Sequence, residues 1–261
     1  LFIHGVFLTA DLWRHQLEGL ADIRRCIAVD LLAHGGSSCG TDGELTMERQ
    51  VGMILDLLDC LGLDAVDLVG NDTGGAIAQL VATRAPERVR TLTLTNCDTH
   101  DNWPPPAFAP IRDMARDGML ADALGALGSD PAAARSALAS GLERPDDLSD
   151  DTVRGFFAPF AGPSARAEAI QGYVAGMDNA VTVAIRDDLA RLLAPTLIVW
   201  GTADEFFDVT WADWLAETIP GTVRSVALEG AKLFFPIERP AELNRELRAL
   251  WTNSGTHALH A

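Results

Sequence analysis

Asp72 is the residue that its neighbours best equip for chemistry. It stands in Gly70-Asn71-Asp72-Thr73-Gly74-Gly75, directly after the apolar run 66–69 and before the helix-like stretch Ala76, Ile77, Ala78, Leu80, Val81. A strand, a sharp turn and a helix in that order lift the turn residue above the edge of a sheet. The flanking glycines let backbone pass close by and let the turn adopt a strained conformation. The carboxylate then meets the positive end of the following helix. There it could attack an electrophilic carbon, or move protons if apolar surroundings raise its pKa. A glycine-rich turn with Asp72 as a plain N-cap is the structural alternative.

A base would have to accompany it. His100 follows the apolar run 91–95 in Asp98-Thr99-His100-Asp101-Asn102-Trp103. Such a loop leaves the carboxyl edge of a parallel sheet, where functional residues gather. Asp98 or His100 could reach the same pocket from it, with Trp103 as a substrate contact. His4 reads as structural, His15 and His34 as surface-like, and His257 and His260 fall in the tail. Lys232 lies beside Leu233, Phe234 and Phe235, where desolvation could lower its pKa or its stem could simply snorkel.

The elements that must position these groups can be read from short apolar runs at 1–3, 26–29, 66–69, 91–95, 196–200 and 222–227. Each is too short for a helix and is bounded by Gly, Pro, Asp or Asn, as buried strands are. Helical spacing appears at 47–61, 76–84, 211–218 and 241–251, with Pro240 suited to a first turn. The alternation predicts a parallel sheet covered on both faces. It breaks from about 102 to 188, which opens on Pro104-Pro105-Pro106 and continues alanine-rich with no convincing strand. That stretch is expected to be a helical cap inserted into a core of 1–101 and 189–261. The tail 252–261 is expected to fray.

The 261 residues are 48% apolar and carry a net charge of −17, enough for one large core. The charge argues against nucleic acid and anionic membrane as partners, since both need clustered Lys and Arg. Cys26, Cys39, Cys60 and Cys97 fit no zinc or redox spacing and are expected to be buried free thiols. No apolar run is long enough to span a bilayer. The opening Leu1-Phe2-Ile3-His4-Gly5 reads like the interior of a domain, so targeting signals cannot be judged from it.

In the order of its motifs the chain resembles the α/β-hydrolase superfamily. His4-Gly5-Val6 is similar to the oxyanion loop after an early strand. Asp30 to Ser37 is similar to the D-x-x-G-x-G-x-S loop, with Ala33 at the first glycine. Gly70 to Gly74 matches the nucleophile elbow. Trp200-Gly201-Thr202-Ala203-Asp204 matches the loop carrying the triad acid, and Ile237-Glu238-Arg239-Pro240 the segment after the catalytic histidine. An aspartate at the elbow resembles the haloalkane dehalogenase and epoxide hydrolase branch, in which the carboxylate forms an ester that activated water hydrolyses.

The resemblance implies Asp72 as nucleophile, Asp204 as the orienting acid, and the backbone N–H groups of Val6 and Thr73 as oxyanion hole. The chain departs from the pattern in three places. Thr73 stands where dehalogenases place tryptophan. Tyr173 is the sole tyrosine, where epoxide hydrolases use a pair. Leu233 stands where the histidine belongs, and leucine takes no proton. The resulting expectation is a hydrolase with a non-standard or missing base, acting on a small or medium apolar substrate of epoxide, halide or ester type. Trp103, Phe156, Phe157, Tyr173, Leu233 and Phe234 are expected to contact that substrate. The alternatives are a binding protein that has lost its base, or a non-hydrolytic enzyme using Asp72 as general acid or base. No cofactor or metal is expected. The expected location is cytoplasmic, and a homodimer is left open.

Overall fold

The computed structural model describes residues 1–39 and 44–257, with side chains described as far as 252. Six strands form one parallel sheet: β1 (Phe2–Ile3), β2 (Ala28–Val29), β3 (Val66–Asp72), β4 (Val89–Cys97), β5 (Thr196–Gly201) and β6 (Thr222–Leu228). Their order is β2-β1-β3-β4-β5-β6. All six coincide with the apolar runs of the sequence. β3 is buried at every residue, as expected for a strand covered on both faces. β2 and β6 are the edge strands, and β6 is largely exposed.

The chain leaves β1 for β2 on one side and returns to β3 on the other. The crevice above the β1–β3 pair is therefore a switch point, where open α/β sheets bind ligands. Ile3 pairs with Gly70, so the loop after β1 emerges beside the turn at Asp72.

α1 (Arg14–Leu20), α2 (Met47–Cys60), α3 (Thr73–Arg84), α11 (Thr210–Thr218) and α13 (Pro240–His257) flank the sheet. α3 is buried from Thr73 through Ala82 and lacks a charged residue before Arg84, because it lies between the sheet and α2. Its small first residues permit that approach. A Cβ on Gly74 would overlap the carbonyl oxygens of Ile3 and His4, which are backbone and cannot swing away. Gly74→Ala is therefore expected to destabilise the fold by about 1–3 kcal/mol or more, read as a lower urea midpoint with an unchanged slope.

Between β4 and β5 the chain contains no strand among the described residues. It runs through α4 (Ala109–Arg116), α5 (Leu120–Leu127), α6 (Pro131–Leu138), α7 (Asp150–Phe157), α8 (Ala165–Ala175) and two short helices, α9 (Ala180–Ala184) and α10 (Arg186–Leu189). The short α12 (Phe235–Glu238) precedes the last helix.

Three local expectations need correction. The stretch from 252 to His257 continues α13 instead of fraying, while 258–261, with His260, lie outside the described residues. Cys60 is exposed, Cys26 and Cys39 are half-buried, and Cys97 alone of the four is fully buried. His34 is buried with His4: their rings lie 5.2 Å apart, and each imidazole bonds backbone. Burial holds His4 down to about 4 and His34 to about 3, so both are neutral struts. Ala33 takes φ 67, the left-handed backbone usually served by glycine.

Candidate active site

Asp72 ends β3 and adopts φ 55, ψ −133, a strained conformation for a residue with a Cβ. Its Oδ1 accepts the backbone N–H of Thr73 at 2.7 Å. A Cβ on Gly5 would collide with this carboxylate, so glycine there lets the loop after β1 pass over it. Burial pushes the Asp72 carboxyl up to about 7. The Thr73 backbone bond opposes the shift, and the charge of Asp204 adds to it.

Above Asp72 lies a cavity of about 90 Å³. Apolar side chains wall it: Val6 and Phe7 from the loop after β1, Phe108 and Leu138 from the helical segment, Phe206 and Phe207 from the loop after β5, and Leu233 and Phe234. Its polar groups are few, namely Asp72, Thr73, Asp98, the Trp103 indole and Ser140. No histidine, lysine or arginine is among the described residues that line it.

Two polar atoms in this wall are buried without a hydrogen-bond partner among the described residues: Asp98 Oδ1 and Trp103 Nε1. The other oxygen of Asp98 accepts the Thr73 hydroxyl at 2.9 Å, and that hydroxyl oxygen lies 3.4 Å from Asp72 Oδ1. Asp98 is 2% exposed. Burial, with Asp72 alongside, holds its carboxyl well above the usual range.

Asp204 stands in the loop after β5, beside the turn that carries Leu233: Ala203 N–H donates to Ala231 O at 2.9 Å. Its carboxylate has found other partners. Asn96 Nδ2 donates to Oδ2 at 2.7 Å, and the N–H groups of Phe206 and Phe207 donate to Oδ1 at 2.8 and 3.3 Å. Asn96 also exchanges two bonds with the backbone of Gly201. Burial still raises Asp204 to about 6. Asn71, one residue before Asp72, donates to the Leu233 carbonyl at 3.1 Å.

The turn at Leu233 is tied to the helical segment as well. Phe234 N–H donates to Gly141 O at 2.8 Å, and a Cβ on Gly141 would run into the Phe234 ring. Glu238 accepts the N–H groups of Glu143 and Arg144, both at 2.8 Å, and Arg239 pairs with Glu143.

Of the residues expected at the site, the cavity gathers Asp72, Val6, Thr73, Trp103, Leu233 and Phe234. Five others do not line it, Asp204 among them. His100 sits at φ 48, packs its ring 4.9 Å from Trp214 and faces Asp101. Phe156 and Phe157 are buried within the helical segment. The Tyr173 hydroxyl donates to Met47 Sδ at 3.9 Å. Lys232 pairs with Glu205 at 3.0 Å. Sequence reasoning missed Asn96 as the partner of Asp204, and only its place at the carboxyl end of a strand hinted at it.

The parallel sheet, the turn at Asp72 and the loops gathered over it define an α/β hydrolase. Residues 1–240 match the family model described as the alpha/beta hydrolase fold, and the chain belongs to that family. Over 96 residues it is 36% identical to the dihydrolipoyllysine-residue acetyltransferase component of the acetoin cleaving system of Cupriavidus necator, covering 37% of this chain and 25% of that protein. Over 288 residues it is 26% identical to epoxide hydrolase A of Mycobacterium tuberculosis, covering 95% and 88%. The chain thus spans a quarter of the first relative and most of the second. It superposes on the crystal structure of a haloalkane dehalogenase from Bradyrhizobium elkani with a TM-score of 0.81 at 21% identity, covering 98% and 90%, a likeness of fold. No helix among the described residues is long and apolar enough to cross a membrane.

Proposed function

We propose that the chain is a hydrolase-family enzyme in which Asp72 attacks a compact apolar electrophile of epoxide, alkyl halide or ester type. The observation that carries this reading is the Asp72 carboxylate, held by a strained turn at the floor of an apolar cavity with no cation among the described residues of its wall. A carboxylate so desolvated is a stronger nucleophile than one in water. Strain and burial of this kind are retained where they serve a reaction. The unpartnered indole N–H of Trp103 supports the reading, since it offers a donor to an electronegative substrate atom. The epoxide hydrolase relative agrees with the electrophile class. The helices between β4 and β5 act as the cap that closes the pocket.

A second reading, a binding protein that keeps the pocket, draws on the absence of histidine from the described cavity wall and on the satisfied state of Asp204. Mass spectrometry separates the two. Protein incubated with 1,2-epoxybutane, 1-bromobutane and 4-nitrophenyl acetate should carry an adduct on the peptide containing Asp72, or turn the reagent over. No adduct and no turnover with any of the three would leave the binding reading.

Leu233→His supplies a further check. The side chain lines the cavity beside the Asp204 loop. General-base assistance is worth about 10²–10⁴-fold, so breakdown of the Asp72 ester should accelerate in this variant, as followed by rapid quench.

A further inference from the structure

We infer that Asp98 is a second reacting carboxyl of this site, giving a proton to the leaving oxygen when Asp72 attacks and taking one from water when the ester is hydrolysed. The inference rests on the reading of Asp72 as nucleophile and deepens it. It fills the role left open at Leu233.

Three observations carry it. Asp98 lines the same cavity as Asp72. The Thr73 hydroxyl lies between the two carboxyls, 2.9 Å from Asp98 Oδ2 and 3.4 Å from Asp72 Oδ1. Asp98 Oδ1 is buried and unpartnered among the described residues, although leaving such a group unsatisfied costs about 1–3 kcal/mol or more. A merely structural aspartate would have both oxygens bonded, as Asp204 does.

Two carboxyls this close in an apolar wall cannot both ionise readily, so they share a proton. Their surroundings decide which keeps it. Asp72 receives a backbone N–H at the start of α3, which stabilises its anion. Among the described residues, the Asp98 carboxyl receives only the Thr73 hydroxyl. Above about pH 7, Asp98 therefore holds the proton and Asp72 is the free carboxylate.

With an epoxide, an Asp72 oxygen bonds to a ring carbon, that carbon's bond to the ring oxygen breaks, and the oxygen takes the Asp98 proton. The products are a hydroxyalkyl ester and an Asp98 carboxylate. In the second half, Asp98 removes a proton from water as its oxygen adds to the ester carbonyl. Collapse expels the alkoxide, which takes the proton from the newly freed Asp72 carboxyl. A diol leaves, with Asp72 ionised and Asp98 protonated as at the start. With an alkyl bromide, bromide leaves without a proton. Esterified Asp72 no longer repels charge, so Asp98 loses its proton to solvent and serves as base.

Asp98→Asn tests the assignment by rapid quench and mass spectrometry. With 1-bromobutane the variant should esterify Asp72 within about threefold of the wild-type rate. It should hydrolyse that ester about 10²–10⁴-fold more slowly, so the butyl ester accumulates. With 1,2-epoxybutane, esterification itself should slow. Added formate should restore hydrolysis of the butyl ester, a rescue that a structural role would not produce. Ester hydrolysis at the wild-type rate in Asp98→Asn would overturn the inference and leave Asp72 as nucleophile.

If Asp98→Asn fails to esterify at all, Thr73→Val decides, since it keeps both carboxyls and removes the bridge. Ester hydrolysis slowed at least tenfold supports the inference, and an unchanged rate overturns it. A wild-type single turnover in ¹⁸O-water must place ¹⁸O in the Asp72 carboxyl. Turnover without that label sinks the nucleophile reading itself.

Discussion

Asp72→Asn is expected to abolish adduct formation and turnover with every electrophile offered, by on the order of 10⁴-fold or more, and to stabilise the fold at pH 8. The carboxamide is nearly isosteric but is neither an anion nor a comparable nucleophile. The stability arises from linkage. The folded Asp72 carboxyl is raised to about 7 from an ordinary value of 3.8. The native chain therefore holds a proton that the unfolded chain releases. That contribution is fully present below about pH 4 and is lost as pH rises through about 7. Asp204, raised to about 6, acts in the same sense. His4 and His34 oppose them: both are held low by burial, so they remove stability as pH falls below their ordinary value of 6.5. Thermal midpoints of wild type and Asp72→Asn, compared at each pH, report what the Asp72 carboxyl adds to the pair it forms with Asp98. The variant's advantage should grow from pH 4 to pH 8. A constant difference across that range would contradict a buried, proton-holding Asp72.

Asn96→Ala is expected to cost about 1–3 kcal/mol or more, the range for leaving buried polar groups without their hydrogen bonds. Its amide holds Oδ2 of the half-buried Asp204 and exchanges two bonds with Gly201 in the buried seam between β4 and β5. Alanine would remove the partner of Asp204 Oδ2 and of two backbone groups of Gly201, while Oδ1 keeps the N–H groups of Phe206 and Phe207. Urea unfolding measures the loss. A cost under about 1 kcal/mol would mean that Asp204 repartners freely.

The sheet was legible because the six runs are apolar and closed by turn residues, and the turn at Asp72 because its glycines announce it. The positions that misled share a physical cause. Asn96 and His100 take φ 21 and 48, a backbone that Asn and His adopt more often than other non-glycine residues but too seldom for their types to announce it. Past such a residue the alternation of a strand no longer says where a side chain points. His100 thus packs on Trp214, and Asn96 meets Asp204. Phe156 and Phe157 show the other limit. A helical segment of this size needs a core of its own, and aromatic residues fill a core as readily as they line a pocket.

The bond from Phe234 N–H to Gly141 O bears on how this protein can be redesigned. With Glu238 holding the backbone of Glu143 and Arg144, the stretch 139–144 and the turn at 233–239 form one mechanical unit. A chimera that imports helices 109–189 from another hydrolase would leave Leu233 and Phe234 unsupported, and one that imports a histidine turn would land beneath a foreign roof. The two segments have to be exchanged together, as a single cassette, for the wall opposite Asp72 to keep its shape.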